Sequence, residues 1–164
     1  MQKIHVKANR HWMNDPNGFI YYKGKYHLFY QCFPYEARWG RMHWAHVVSD
    51  DLVNWEYQGI AVFPSKTDDR DGCFSGSAVE DEGKLYLYYT GVRYLVENPE
   101  DINLFLDEQF VSAQMLITSE DGYHFDPETT VGIYFGELQQ PYESERVKAV
   151  NDIFEKIVSQ SSSV

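Results

Sequence analysis

A chain of 164 residues is long enough for one domain with a real core, and 43% hydrophobic residues fits a soluble globular protein. Its 14 basic and 25 acidic side chains leave a net charge of −11, which disfavours nucleic acid and anionic membranes as partners because phosphate would be repelled. No window approaches the roughly 20 apolar residues of a membrane span, and residues 1–6 lack the apolar stretch of a secretory signal, so a cytoplasmic protein is expected.

The first motif is His11-Trp12-Met13-Asn14-Asp15-Pro16-Asn17-Gly18. Proline disfavours a helical Asp15 by crowding the preceding backbone, and Asn17-Gly18 suits a tight turn in which glycine takes positive φ. An apolar, aromatic run follows at 19–22, so Asp15 is expected at the mouth of a strand rather than inside one. A rigid carboxylate flanked by the amides of Asn14 and Asn17 and by the aromatics Trp12 and Phe19 is what a sugar-cleaving nucleophile needs. The same residues would also serve as an Asx-type turn that merely opens a hairpin.

Residues 18–22, the turn at 23–25 and residues 26–31 read as a hairpin. A loop at 34–41 leads to a third strand at 42–49, a turn at Asp50-Asp51, and a fourth strand at 55–62. Together they predict a four-stranded antiparallel meander. The same phrase then recurs. Residues 76–79, an acidic turn at 80–84 and residues 85–90 echo the hairpin, and 111–119 echoes the third strand. Ser119-Glu-Asp-Gly-Tyr-His-Phe125 repeats Ser49-Asp-Asp-Leu-Val-Asn-Trp55. Lys25-Tyr26 and Lys84-Leu85 lie 59 residues apart, whereas Ser49 and Ser119 lie 70 apart; the extra 11 fall between Gly91 and Val111, around the acidic stretch 97–101. A four-stranded unit repeating at this interval predicts an all-β fold with about two blades of a β-propeller. A sandwich would also show sequential hairpins, but it would not repeat the turn words.

Beyond Asp126 the pattern fades, with a further strand start near 133–135. Val147, Val150, Ile153, Phe154, Ile157 and Val158 then recur at helical spacing after Pro141, which predicts an amphipathic helix at about 142–159. The chain is thus divided into a propeller-like part, 1–126, and a separate segment, 127–164. Two blades of an open ring leave strand edges bare, so self-association or a complementing chain is expected, through those edges or the helix. Cys32 and Cys73 lie far apart, match no metal spacing and read as buried free thiols. His43 and His46 alternate with apolar residues and lack a third ligand for zinc; neither metal nor other cofactor is expected.

Four ordered segments carry a resemblance: Trp12-Met-Asn-Asp-Pro-Asn-Gly18; Phe29-Tyr30-Gln31; Trp39-Gly-Arg-Met-His-Trp-Ala-His46 with the segment 49–55; and Phe74-Ser-Gly-Ser77. Together they resemble glycoside hydrolase family 32, the invertases, fructan hydrolases and sucrose-6-phosphate hydrolases, over about residues 5–126. That resemblance implies a five-bladed propeller with a central sugar pocket and retaining hydrolysis of β-fructofuranosyl bonds in sucrose, sucrose 6-phosphate or fructans. Such chemistry uses two carboxyl groups about 5 Å apart, one attacking the anomeric carbon and one protonating the leaving oxygen.

By the same resemblance Asp15 matches the nucleophile, and Asn14, Gln31, Trp39, Phe74 and Ser75 match the lining of the fructose subsite. Read alone, Trp39 and Trp44 would equally be core aromatics, and Phe74-Ser75 the plain start of a strand. The family's Arg-Asp-Pro and Glu-Cys motifs do not occur in these residues; Asp69-Arg70-Asp71-Gly72 is the nearest and is out of place. The sequence therefore predicts a fructosidase-like chain that is inactive by itself. A non-catalytic fructoside-binding module is the alternative, and an arabinoside-cleaving propeller is a weaker one, because the Trp-Met-Asn-Asp-Pro-Asn-Gly and Phe-Ser-Gly-Ser words occur together.

Overall fold

In a computed structural model, residues 5–106 and 109–133 are described. They form β1 (Trp12–Tyr22), β2 (Lys25–Phe33), β3 (His43–Ser49) and β4 (Trp55–Val62), then β5 (Gly72–Asp81), β6 (Lys84–Tyr94), β7 (Phe110–Ser119) and β8 (Val131–Ile133). The first four make one antiparallel sheet in chain order, and the last four make a second sheet in the same order. Two consecutive four-stranded meanders agree with two blades of a propeller. The helix expected at 142–159 lies outside the described residues. Among the described residues no helix is long and apolar enough to cross a membrane.

Both hairpins close through two residues of positive φ, Lys23 (46°) and Gly24 (86°) in the first, Glu82 (50°) and Gly83 (81°) in the second. This turn type matches the right-handed twist of the flanking strands, and Tyr22 therefore pairs with Lys25 as Asp81 pairs with Lys84. The acidic turn expected at 80–84 is thus narrower: Glu80 and Asp81 belong to β5, and the Glu80 carboxylate accepts from the Gly83 amide at 2.7 Å.

The corners after β3 and β7 repeat at the level of single hydrogen bonds. Ser49 Oγ accepts from the Leu52 amide at 2.9 Å, and Ser119 Oγ accepts from the Gly122 amide at 2.9 Å. Asp51 Oδ1 accepts from the amides of Val53 and Asn54, and Asp121 Oδ1 from those of Tyr123 and His124, all at 2.7–2.9 Å. Asp50-Asp51, expected as a turn, is therefore half a capping device.

The core lies between the sheets. Phe29, Trp44, Leu85, Leu87, Tyr89, Met115 and Ile117 are all nearly or fully buried there. Strand alternation sends Ala45 and Val47 to the opposite face, where they pack with Tyr30, Cys32, Val6 and Trp55. Every residue of β3 is buried, because it runs between two partners and is covered on both faces. His46 stacks on Phe29 at 4.4 Å, and its Nε2 lies 3.0 Å from His27 Nδ1. Burial pushes both imidazoles below their ordinary value, with His27 adding to the effect on His46, which falls to about 3. Both cysteines are buried free thiols as expected; burial pushes Cys32 up to about 11 and raises Cys73 as well.

Candidate active site at the facing inner strands

β1 and β5 are the first strands of the two sheets and lie against each other. Both are bulged where they meet. On β1, Met13 pairs with Cys32 and Pro16 with Tyr30, so Asn14 and Asp15 together oppose the single residue Gln31. On β5, Phe74 pairs with Thr90 and Gly76 with Tyr89, so Ser75 is the extra residue. Bulges re-aim side chains and are frequent beside functional sites. Asp15 thus lies within β1, at an irregularity, and not at the mouth of a strand. Gly18 has the expected positive φ of 53°, but in a second bulge of β1 rather than a turn. A Cβ there would lie 2.9 Å from the Phe29 ring, so close packing adds its own demand for glycine.

The two bulges point their side chains at each other. Ser75 Oγ donates to Asp15 Oδ2 at 2.6 Å. Asn17 locks the strands beneath them: its Oδ1 accepts from the Gly76 amide at 3.0 Å, and its Nδ2 donates to the Asp15 carbonyl at 3.1 Å. Asn14 donates to Gln31 Oε1 and accepts from Trp12 Nε1, the latter at 3.0 Å. Asn17 was expected only as an amide flanking the carboxylate, not as a clamp between the two strands.

The aromatic wall comes from the loop after β2 and from β5. Trp39 meets Phe74 edge to face with centroids 5.8 Å apart, and Trp44 Nε1 donates to the Phe74 carbonyl at 3.1 Å, holding that backbone in place. Trp44 is wholly buried and belongs to the core, whereas Trp39 is half-buried beside the bulges. Phe19 does not join the site; it is exposed and stacks on Tyr26. The insertion in the second sheet contributes instead. Phe105, which is joined to Glu97 by a β-bridge, also packs edge to face with Trp39, with centroids 5.8 Å apart.

Each of the six residues matched by resemblance therefore touches another of them: Asp15 with Ser75, Asn14 with Gln31, Trp39 with Phe74. Asp15 is exposed and its Oδ1 accepts no hydrogen bond from the described residues. The arrangement can present one carboxylate oxygen to a ligand while the other is held by a hydroxyl. Beside it stand the Asn14 and Gln31 amides for sugar hydroxyls and an apolar wall for a ring face.

Comparison with known proteins identifies the family. The profile of the glycosyl hydrolases family 32 N-terminal domain matches residues 5–145. Sucrose-6-phosphate hydrolase of Escherichia coli is 43% identical over 128 residues, which are 78% of this chain and 26% of that protein. An insoluble β-fructofuranosidase isoenzyme of Daucus carota is 54% identical over 89 residues, 54% of this chain and 15% of that protein. Among solved structures, a GH32 β-fructofuranosidase of Bombyx mori aligns with a TM-score of 0.63 at 39% identity, covering 88% of this chain and 27% of that one. A family 32 glycoside hydrolase of Bifidobacterium adolescentis aligns with a TM-score of 0.66 at 31% identity, covering 84% of this chain and 23% of that one. The chain spans about a quarter of the length of the bacterial relatives it matches. Motifs, paired meanders and the family match over residues 5–145 converge: this chain belongs to glycosyl hydrolase family 32, within its N-terminal domain.

Proposed function

We propose that these residues supply the nucleophile and the fructose-binding wall of a retaining β-fructofuranosidase. Asp15 Oδ1 attacks the anomeric carbon of a β-fructofuranosyl unit as the glycosidic C–O bond breaks. The leaving sugar oxygen takes a proton from a carboxylic acid, and water then hydrolyses the fructosyl ester to release fructose with retained configuration. Ser75 holds Oδ2 and so fixes the direction of Oδ1. Asn14 and Gln31 bind ring hydroxyls, and Trp39 and Phe74 exclude water from one face. The observation that carries this reading is the Ser75–Asp15 hydrogen bond across two facing bulges, which directs a motif carboxylate between amides and an aromatic wall. Similarity to proteins named for hydrolysis of sucrose 6-phosphate, raffinose and levan supports the substrate class.

Asp15 supplies one of the two carboxyl groups this chemistry requires, and its side-chain hydrogen bond leads to Ser75 rather than to an acid. General acid assistance contributes about 10²–10⁴-fold. The 164 residues assayed by themselves are therefore expected to bind fructose or sucrose but to turn sucrose over very slowly or not at all. Calorimetry with fructose and a sucrose assay at high protein concentration test both halves. Heat of binding that disappears in Asp15→Ala, without turnover, supports the proposal. Clear turnover lost in Asp15→Ala would refute the incompleteness, and absence of binding would refute the pocket.

A further inference from the structure

Resting on that reading, we infer that Phe105 and Asp101, both carried by the loop between β6 and β7, are positioning residues that fix the Trp39 indole as a wall of the fructose site. Trp39 lies in the loop between β2 and β3, which has no strand of its own. That loop is anchored on its own sheet at Phe33. A Cβ on Gly40 would lie 2.8 Å from the Phe33 ring, and the Arg38 guanidinium stands 6.0 Å from the centre of the same ring. Neither contact touches the indole. Among the described residues its aromatic neighbours come from the second sheet and its loop: Phe74 and Phe105, each edge to face with centroids 5.8 Å apart. The residues flanking Trp39 reach the same way. Arg38 pairs with Asp101, and Arg41 Nη2 lies 2.8 Å from Asp71 Oδ1. One edge-to-face contact limits a distance; two, with ion pairs on either side, set an orientation.

A support has to be more rigid than the group it holds, and residues 97–105 are tightly cross-linked. Asn98 Oδ1 accepts from the Glu100 and Asp101 amides at 3.0 and 3.3 Å. Asp101 Oδ1 accepts from the amide and the Nδ2 of Asn103 at 3.0 and 3.2 Å, which leaves Oδ2 to Arg38. The Leu104 amide donates to the Asp101 carbonyl at 3.1 Å, and the Tyr94 hydroxyl to the Asn103 carbonyl at 3.2 Å. Phe105 itself packs on Tyr94 and Phe110, with centroids 6.0 and 5.5 Å apart; these are the last residue of β6 and the first of β7. The acidic stretch is therefore a set of acceptors that folds the loop on itself and holds Phe105 against the strand ends.

Nothing in this arrangement requires Phe105 or Asp101 to touch the sugar. Their effect runs through Trp39: an indole already ordered loses less freedom when a ring stacks on it, a saving of about three- to tenfold in affinity. The Arg38–Asp101 pair contributes the smaller share, because its side chains are 37% and 23% exposed and solvent screens them.

The test titrates the 164-residue chain with fructose and follows the tryptophan indole N–H signals by NMR. Trp39 reports the site, and Trp44, buried between the sheets, reports the fold. Phe105→Ala is expected to weaken fructose binding about three- to tenfold and to lower the heteronuclear NOE of the Trp39 indole in the free chain, with the Trp44 signal in place. Asp101→Arg should weaken binding about threefold by setting like charges together. Combining it with Arg38→Asp should restore both affinity and indole order, because Arg at 101 then faces carboxylates at 36 and 38. Restoration by a second substitution separates positioning from loss of folding. Unchanged affinity in Phe105→Ala, or no restoration in the charge-swapped chain, overturns the inference. Weakened binding with the Trp39 NOE unchanged would make Phe105 a direct sugar contact and overturn its positioning role. A wild-type chain that does not bind fructose overturns the pocket reading itself, whereas one that binds fructose indifferently to these variants sinks this inference alone.

Discussion

The two sheets are most alike at their outer corners and least alike along their inner edges. At the corners, Ser49–Asp51 and Ser119–Asp121 make the same hydrogen bonds to equivalent backbone amides. Along the inner edges, β1 bulges by setting Asn14 and Asp15 against one partner, while β5 bulges at Ser75. The difference separates what repeats to build the fold from what departs from the repeat at the proposed site. A duplicated meander supplies a rigid frame, and unequal irregularities on its facing strands supply a carboxylate on one side and a hydroxyl on the other.

The frame breaks most severely at Trp44, which is wholly buried between the sheets. Trp44→Ala should cost about 3–5 kcal/mol in chemical denaturation, by lost burial and the cavity left behind. Next comes the β5 bulge. A Cβ on Gly76 would lie 1.9 Å from the Tyr88 carbonyl oxygen, so backbone has to move. Gly76→Ala should cost about 3 kcal/mol, and it should weaken fructose binding by displacing Ser75, whereas Trp44→Ala acts on stability first.

Acid sharpens the same division. His27 and His46 are buried and held below the ordinary histidine value of 6.5, His46 at about 3. A lowered histidine contributes stability that is fully present above pH 6.5 and is lost as pH falls toward 3, because the unfolded chain takes up protons the folded one refuses. Between pH 7 and pH 4 the melting temperature should fall by about 5–10 °C. His46→Phe, with a ring already suited to stacking on Phe29, should flatten most of that slope. The smallest effects belong to the corners. Asp51→Ala and Asp121→Ala should lower the melting temperature slightly and by equal amounts, leaving sugar binding unchanged; unequal losses would contradict the repeat.

Much of the frame was legible because its signals are local. Alternating apolar residues around Lys23-Gly24 and Glu82-Gly83 define two hairpins, and the Ser-x-Asp words define two corners. The bulges were not legible, because they exist only as a mismatch between one strand and its partner. Nothing in Trp12–Tyr22 alone says that two residues will face Gln31 alone. For the same reason Asp15 was placed at a strand mouth, Asn17 was left out as a clamp, and Phe19 was put at the site instead of against Tyr26. Phe105 was hidden in an apparently acidic loop whose role depends on a tertiary contact with Trp39. The identities of Asn14, Asp15, Gln31, Trp39, Phe74 and Ser75 came from motif resemblance, and their joint placement from the register of two sheets.

The central claim is that two facing bulges pool these side chains into one fructose site. Amide and indole NMR shifts during titration with fructose test it most directly. The account predicts changes concentrated at Asn14, Asp15, Gln31, Ser75 and the Trp39 indole, saturating with one constant and vanishing in Asp15→Ala. Shifts scattered over the outer corners, or a response at Trp39 that survives Asp15→Ala unchanged, would contradict it.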